Sequence, residues 1–224
     1  MFVGHFALGF AAKRAVPRVS LAALCAGAQV ADLLWPVFLA IGIEQVRIDP
    51  GNTAVTPLDF VSYPYSHSLL MLIVWGALFG LVFTVRLKAD ARKALIFSVL
   101  AALVVSHWVL DWITHRPDLP LFPGSAKFGL GLWNSVPATM AVELVMYAVG
   151  LWVYARATRG RDARGRWGFW TLAAFLAVVY VANIMGPPPP SVFAIWTSAI
   201  AGGAILVIWI WWVDRHRDVI LASD

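Results

Sequence analysis

The sequence predicts an all-α membrane protein, a polytopic bundle of six spanning helices preceded by a short N-terminal half-helix. Three observations predict it. Of the 224 residues 61% are hydrophobic and 13% charged, with a mean hydropathy of +0.77, whereas a soluble domain is about half apolar and about a quarter charged. The apolar residues come in blocks long enough to cross a bilayer. Lysine and arginine then segregate to alternate connections between those blocks, as the positive-inside rule requires.

In chain order, Met1 to Ala12 is apolar but too short to span, so it is expected to re-enter the membrane or lie at its interface. Spans follow at 19–43, 67–86, 91–115, 136–156, 167–186 and 191–213. Pro187 to Pro190 make a stiff break between the last two, because proline cannot continue a helix. No repeat or low-complexity tract divides the chain, and residues 1–224 are expected to form one integral membrane domain. A cleavable signal peptide is not expected, because Lys13 and Arg14 follow the first apolar stretch where a signal peptide carries its charge in front. The single cysteine, Cys25, excludes an intramolecular disulfide and a cysteine-based zinc site, and is expected to pack between helices.

Cations set the orientation. Fourteen lie at Lys13 to Arg18, Arg86 to Lys93, Arg156 to Arg166 and Arg215 to Arg217, all on one side of a six-span topology; only Arg47, Arg116 and Lys127 lie on the other. Both termini are therefore expected in the cytoplasm. The basic pI near 9.7 reports topology and contact with anionic lipid, and no nucleic-acid-binding motif is present.

Polar groups inside the apolar blocks mark where chemistry is expected, since each is costly to keep in hydrocarbon. His107, Asp111 and His115 are spaced i, i+4, i+8 and share one helical face, drifting about 40° per step. At 1.5 Å of rise per residue, His107 lies about 12 Å below His115 at the outer end of span three. Asp32 lies about 16 Å below the outer end of span one, Glu143 about 10 Å into span four, and His67 opens span two. His5, in the N-terminal segment, would rise about 12 Å and approach Asp32 if that segment folds back as a half-helix. These groups converge on the outer half of the bilayer. A helix–helix hydrogen-bond network would use the same residue types.

Several other features have structural readings. Asp118, in R-P-D-L-P, reads as a turn former, and His216, in D-R-H-R-D, as a solvated terminus. Trp35, Trp108, Trp112, Trp133, Trp211 and Trp212 fall where an aromatic belt is expected. The run F-G-L-G-L-W-N-S at 128–135 is a glycine-bearing loop suited to a lid or substrate loop, and Ala201 to Ala204 suit close helix packing.

The segments G-H-F-A-L-G, A-D-L-L-W-P, S-H-S-L and H-W-V-L-D-W-I-T followed by L-F-P-G resemble the YdjM-type family of bacterial inner-membrane proteins, described as membrane-bound metal-dependent hydrolases. The resemblance covers about the first 125 residues. By position it implies His5, Asp32, His67, His107 and Asp111 as site residues, and a bacterial inner-membrane location. The chain departs from the family pattern in two places: in the P-D-x-D element of span one Ala31 precedes Asp32 and Leu34 takes the place of the second aspartate, and ahead of S-H-S Tyr63, Pro64 and Tyr65 replace a His-Arg pair. The His107–Asp111 element is also similar to one in zinc-dependent phospholipase C enzymes.

The expected site is a divalent metal centre, with zinc the leading ion. His107, Asp111 and His67 are its core ligands, and Asp32 completes the shell or acts as general base. Glu143 and His115 are expected as orienting groups or ligands to a second ion, and Glu143 also as a catalytic carboxylate. The expected reaction is hydrolysis of an ester or phosphoester in a lipid-like substrate, with membrane lipids as the surroundings. Proton- or ion-coupled transport and a non-catalytic scaffold are the competing classes.

Overall fold

The computed structural model describes residues 1–88 and 91–220. Its helices in chain order are α1 (Val3–Ala12), α2 (Leu21–Ala28), α3 (Val30–Ala40), α4 (Pro64–His67), α5 (Leu69–Thr84), α6 (Ala91–Thr114), α7 (Val136–Ala157), α8 (Ala163–Met185) and α9 (Val192–Arg215). Three two-stranded antiparallel ribbons join them: β1 (Gln45–Ile48) with β2 (Leu58–Ser62), β3 (Leu119–Pro120) with β4 (Lys127–Phe128), and β5 (Thr158–Gly160) with β6 (Arg217–Val219). The ribbons are an addition to the expected all-helical chain, and all lie in the connections between or beyond the long helices.

The helix starts follow local chemistry. Ser20, Ser68, Ser135 and Ser191 each accept a backbone N–H three residues on at the start of α2, α5, α7 and α9, and Asp162 does the same for α8. Such caps satisfy N–H groups that have no partner within the helix. The Asp162 carboxyl is held below the usual carboxylate range by the Gly165 N–H and by His216. His216 pairs with Asp162 at 2.8 Å in an exposed contact, so it ties the end of α9 to the start of α8 while staying in reach of solvent.

Among the described residues four helices are long and apolar enough to cross a membrane: Arg92–Thr114, Val136–Ala157, Ala163–Met185 and Val192–Arg215. The expected straight span at 19–43 is instead α2 and α3, bent by 61° about Gln29; counted as one span, the pair brings the number to five. The expected span at 67–86 shortens to the 16 residues of α5, about 24 Å of helix. Pro64 and the Ser68 cap break the chain before Leu69. Leu70, Leu81, Val145, Val178 and Ile208 are among the large apolar side chains on the outside of these helices, a surface suited to lipid.

The N-terminal half-helix is the central element. Along α1, Val3 to Ala7, Gly9 and Phe10 are buried, and α1 packs on α2, α6 and α7. Two glycines allow that approach. A Cβ on Gly9 would stand 2.8 Å from the Cys25 Cα, and one on Gly150 would stand 2.5 Å from the Ala7 carbonyl oxygen. Phe10 packs between Tyr147, Tyr154 and Phe169. Lys13 closes the end of this segment by an ion pair with Asp214 at 2.8 Å, and Asp214 also accepts from the Leu21 N–H and the Tyr154 hydroxyl.

Gly150→Ala therefore pushes α1 off α7. It should destabilise the protein by about 1–3 kcal/mol, the usual cost of overpacking, read as a lower Tm in detergent. Gly202→Ala on α9, where a Cβ meets nothing within 4 Å, should leave the Tm unchanged or raise it.

Candidate metal centre

His107 and Asp111 project from the last two turns of α6, with His115 just beyond its end; His67 closes α4, Asp32 lies in the first turn of α3, and His5 lies in α1. Two local features bring them together. The break at Gln29 frees the Ala28 carbonyl, which accepts from His107 Nδ1–H at 2.8 Å. It also places Asp32 near the start of a helix instead of in mid-span. Irregular backbone inside a membrane protein is tolerated where protein buries it, and here it supplies the partner for the imidazole.

The Asp111 carboxylate is the hub. Its Oδ2 lies 3.1 Å from His107 Nε2, 3.7 Å from His115 Nε2 and 3.9 Å from His67 Nε2. Its Oδ1 lies 3.0 Å from His5 Nε2 and also meets the Met1 amino group. Asp32 Oδ1 stands 3.6 Å from His67 Nε2 and 3.7 Å from His107 Nε2. The His5 and His107 rings stack at 3.7 Å with an interplanar angle of 4°. His5, His67, His107, Asp111 and His115 are all buried, while the Asp32 side chain is 39% exposed and forms the open edge.

Three of the histidines have the same hydrogen-bond logic. Ser66 Oγ donates to Glu44 at 2.6 Å, so it must accept from His67 Nδ1–H at 2.7 Å. His107 Nδ1 faces the Ala28 carbonyl, which can only accept. His115 Nδ1 faces Asp118 Oδ1 at 3.0 Å, an oxygen that also accepts from the Tyr63 hydroxyl at 2.7 Å. In all three the proton is assigned to Nδ1 by the network, leaving the Nε2 lone pair turned toward Asp111. An outward N–H bond to a carbonyl or carboxylate is the usual second partner of a metal-ligating histidine. His107 Nε2 is buried without a hydrogen-bond partner among the described residues.

Two overlapping donor sets can hold a metal ion: His5, His107 and Asp111, and Asp32, His67 and His107, each with its ligand atoms within 4.8 Å of one another. His107 belongs to both, so they form one cluster. Neutral imidazoles with carboxylates are the donor chemistry of zinc and similar divalent ions.

The remaining site expectations fall elsewhere. His115 touches Asp111 but belongs to neither donor set. Glu143 accepts the Phe2 N–H at 2.7 Å and the Gly4 N–H at 3.2 Å, capping α1, a helix with no cap of its own. Asp118 is not a simple turn former: it is buried and joins Tyr63, His115 and Arg116. Burial, with Asp118 acting in the same direction, pushes the Tyr63 phenol well above its usual range, so it remains a donor. Glu44 and Ser66 were missed by sequence reasoning. Glu44 lies one residue past the expected span, and the only signal for Ser66 was its place beside His67. The glycine-bearing loop at 128–135 covers the cluster, with the Trp133 ring 4.1 Å from that of His115 and the Gly131 N–H on the His115 carbonyl. Trp35, Trp108 and Trp133 belong to the apolar cluster that contains Phe60 and Tyr63.

No protein-family model matches the chain, and no curated protein or solved structure matches it either.

Ser66→Ala removes the acceptor for His67 Nδ1–H and frees its tautomer. Loss of such an outer partner typically costs 10–100-fold in metal affinity. Competition with a chromophoric chelator should show a drop of about that size, with the helical circular-dichroism signal retained.

Proposed function

We propose that the protein is a membrane-embedded, metal-dependent hydrolase of the YdjM type, acting on an ester or phosphoester bond of a lipid-like substrate. The observation that supports it most is the set of three buried histidines, each donating Nδ1–H outward and turning Nε2 toward Asp111. His107, His67, Asp111 and His5 would hold the ion, with zinc the best fit to this donor set. A bound divalent ion supplies Lewis acidity and brings the pKa of a water toward neutrality. Asp32, exposed at the edge of the cluster, is the carboxylate that substrate and solvent reach first, and it takes a proton at Oδ1 as general base. His115, held by Asp118 and Tyr63, orients the Asp111 carboxylate from the far side.

The proposed topology has six crossings, counting the bent α2–α3 pair as one and α5 as another, with both termini in the cytoplasm of a bacterial inner membrane. The distribution of lysine and arginine supports that orientation, and it puts the cluster in the outer half of the bilayer.

A second reading, ion- or proton-coupled transport, is favoured by the helix break at Gln29, because interrupted helices beside buried carboxylates and histidines are common at transport sites.

Elemental analysis of the purified protein should find a stoichiometric divalent metal ion. The Asp111→Ala and His107→Ala variants should both lose it, and chelation should abolish phosphodiester hydrolysis. Unchanged metal in the two variants would exclude the metal centre. Flux in proteoliposomes without hydrolysis would select the transport reading.

A further inference from the structure

The three cations that the sequence sets apart from the other fourteen meet in one place. Arg47 on β1, Arg116 after α6 and Lys127 on β4 line a polar cleft of about 580 Å³, closed by Asp59, Asp118 and the exposed Asp49. These cations come from three separate segments of the chain, and the β1–β2 and β3–β4 ribbons hold two of them in register.

The charges divide into a floor and a rim. On the floor, Arg116 bridges Asp59 and Asp118, and both carboxylates are buried. On the rim, the Arg47 side chain is 74% exposed while its guanidinium bonds Asp59 from one edge. Lys127 donates to the Val61 carbonyl at 3.0 Å and pairs with no carboxylate among the described residues. With Asp49 at the edge, three cations face three carboxylates, so the cleft as a whole is neutral, and the free edge of Arg47 and the Lys127 ammonium are its available donors. Asp118 also belongs to the metal centre, since it bonds His115 Nδ1. The cleft is therefore one side chain away from the cluster.

We propose that this cleft binds the singly charged phosphodiester of a phospholipid headgroup. Arg47 donates to one phosphate oxygen from its free edge and Lys127 to another. Arginine suits this role because its planar fork matches phosphate oxygens, and lysine because it acts as a compact point charge. A dianionic phosphate monoester would bring a second negative charge into a neutral cleft, against Asp49. The assignment of this headgroup as substrate rests on the hydrolase reading above; binding in the cleft does not.

The test is binding to the full chain in detergent at low salt, followed by microscale thermophoresis with three probes: monomeric dihexanoyl phosphatidylglycerol, soluble glycerophosphoglycerol and inorganic phosphate. The intact lipid should bind most tightly, the soluble diester more weakly, and inorganic phosphate at least ten-fold more weakly than the lipid. Lys127→Gln alone should weaken the lipid about ten-fold, and Arg47→Gln with Lys127→Gln should abolish saturable binding. Wild-type affinity in the double variant, or inorganic phosphate binding as tightly as the lipid, overturns the proposal. Equal affinity for lipid and soluble diester overturns the lipid source. Metal content on the same preparations separates the two readings: a metal-free wild type that still binds the lipid defeats the hydrolase and leaves the cleft standing.

Discussion

A carboxylate buried in the middle of an apolar bundle governs this structure. An ion in that position costs several kcal/mol unless its surroundings compensate for the water it has lost. The Oδ1 of Asp111 is met by the Met1 amino group and by His5 Nε2 from α1, while three further imidazoles, those of His107, His115 and His67, turn Nε2 toward Oδ2, where a bound divalent cation would supply the remaining positive charge. Each of these three imidazoles is in turn held by something behind it. Ser66 and Glu44 stand behind His67, the Ala28 carbonyl behind His107, and Asp118 with Tyr63 behind His115. Arranging these groups around one carboxylate thus draws in five separate segments of the chain.

The irregular parts of the backbone are where the bundle and the cluster meet. A straight helix across 19–43 would keep the Ala28 carbonyl inside its own hydrogen-bond ladder and leave His107 Nδ1 without a partner. The bend gives that carbonyl to His107 and brings Asp32 to the open edge. Pro36, inside α3, continues the pattern: it has no N–H to return to the Asp32 carbonyl four residues earlier. The short α4 does the same for His67, ending a helix at the residue whose ring must turn inward.

Much of the cluster was legible because it obeyed helical arithmetic. The i, i+4, i+8 spacing put His107, Asp111 and His115 on one face, and rise per residue put Asp32 at their depth. His5 followed from a half-helix folding back, and its ring lies flat on that of His107. What stayed hidden depended on groups with no periodic signature. Glu44 and Ser66 act through connections outside the helices. The partner of His107 is a main-chain carbonyl, which no side-chain pattern encodes. Glu143 had the depth of a site residue, yet its oxygen is used by the α1 N–H groups, and depth alone cannot tell a ligand from a cap. The shape of two spans was hidden for a related reason: hydropathy registers apolar length, and neither the bend at Gln29 nor the Pro64–Ser68 break interrupts it.

The place of α1 at the centre has a consequence for biosynthesis. His5 meets Asp111 across 106 positions, and the Phe2 N–H meets Glu143 across 141. At typical synthesis rates of about 5–20 residues per second, Asp111 and Glu143 emerge on the order of ten seconds after α1 does. During that interval an apolar ten-residue helix with a histidine has neither its cap nor its carboxylate. The contacts of His5 with Asp111 and of the Phe2 N–H with Glu143 therefore form only after α6 and α7 have been made.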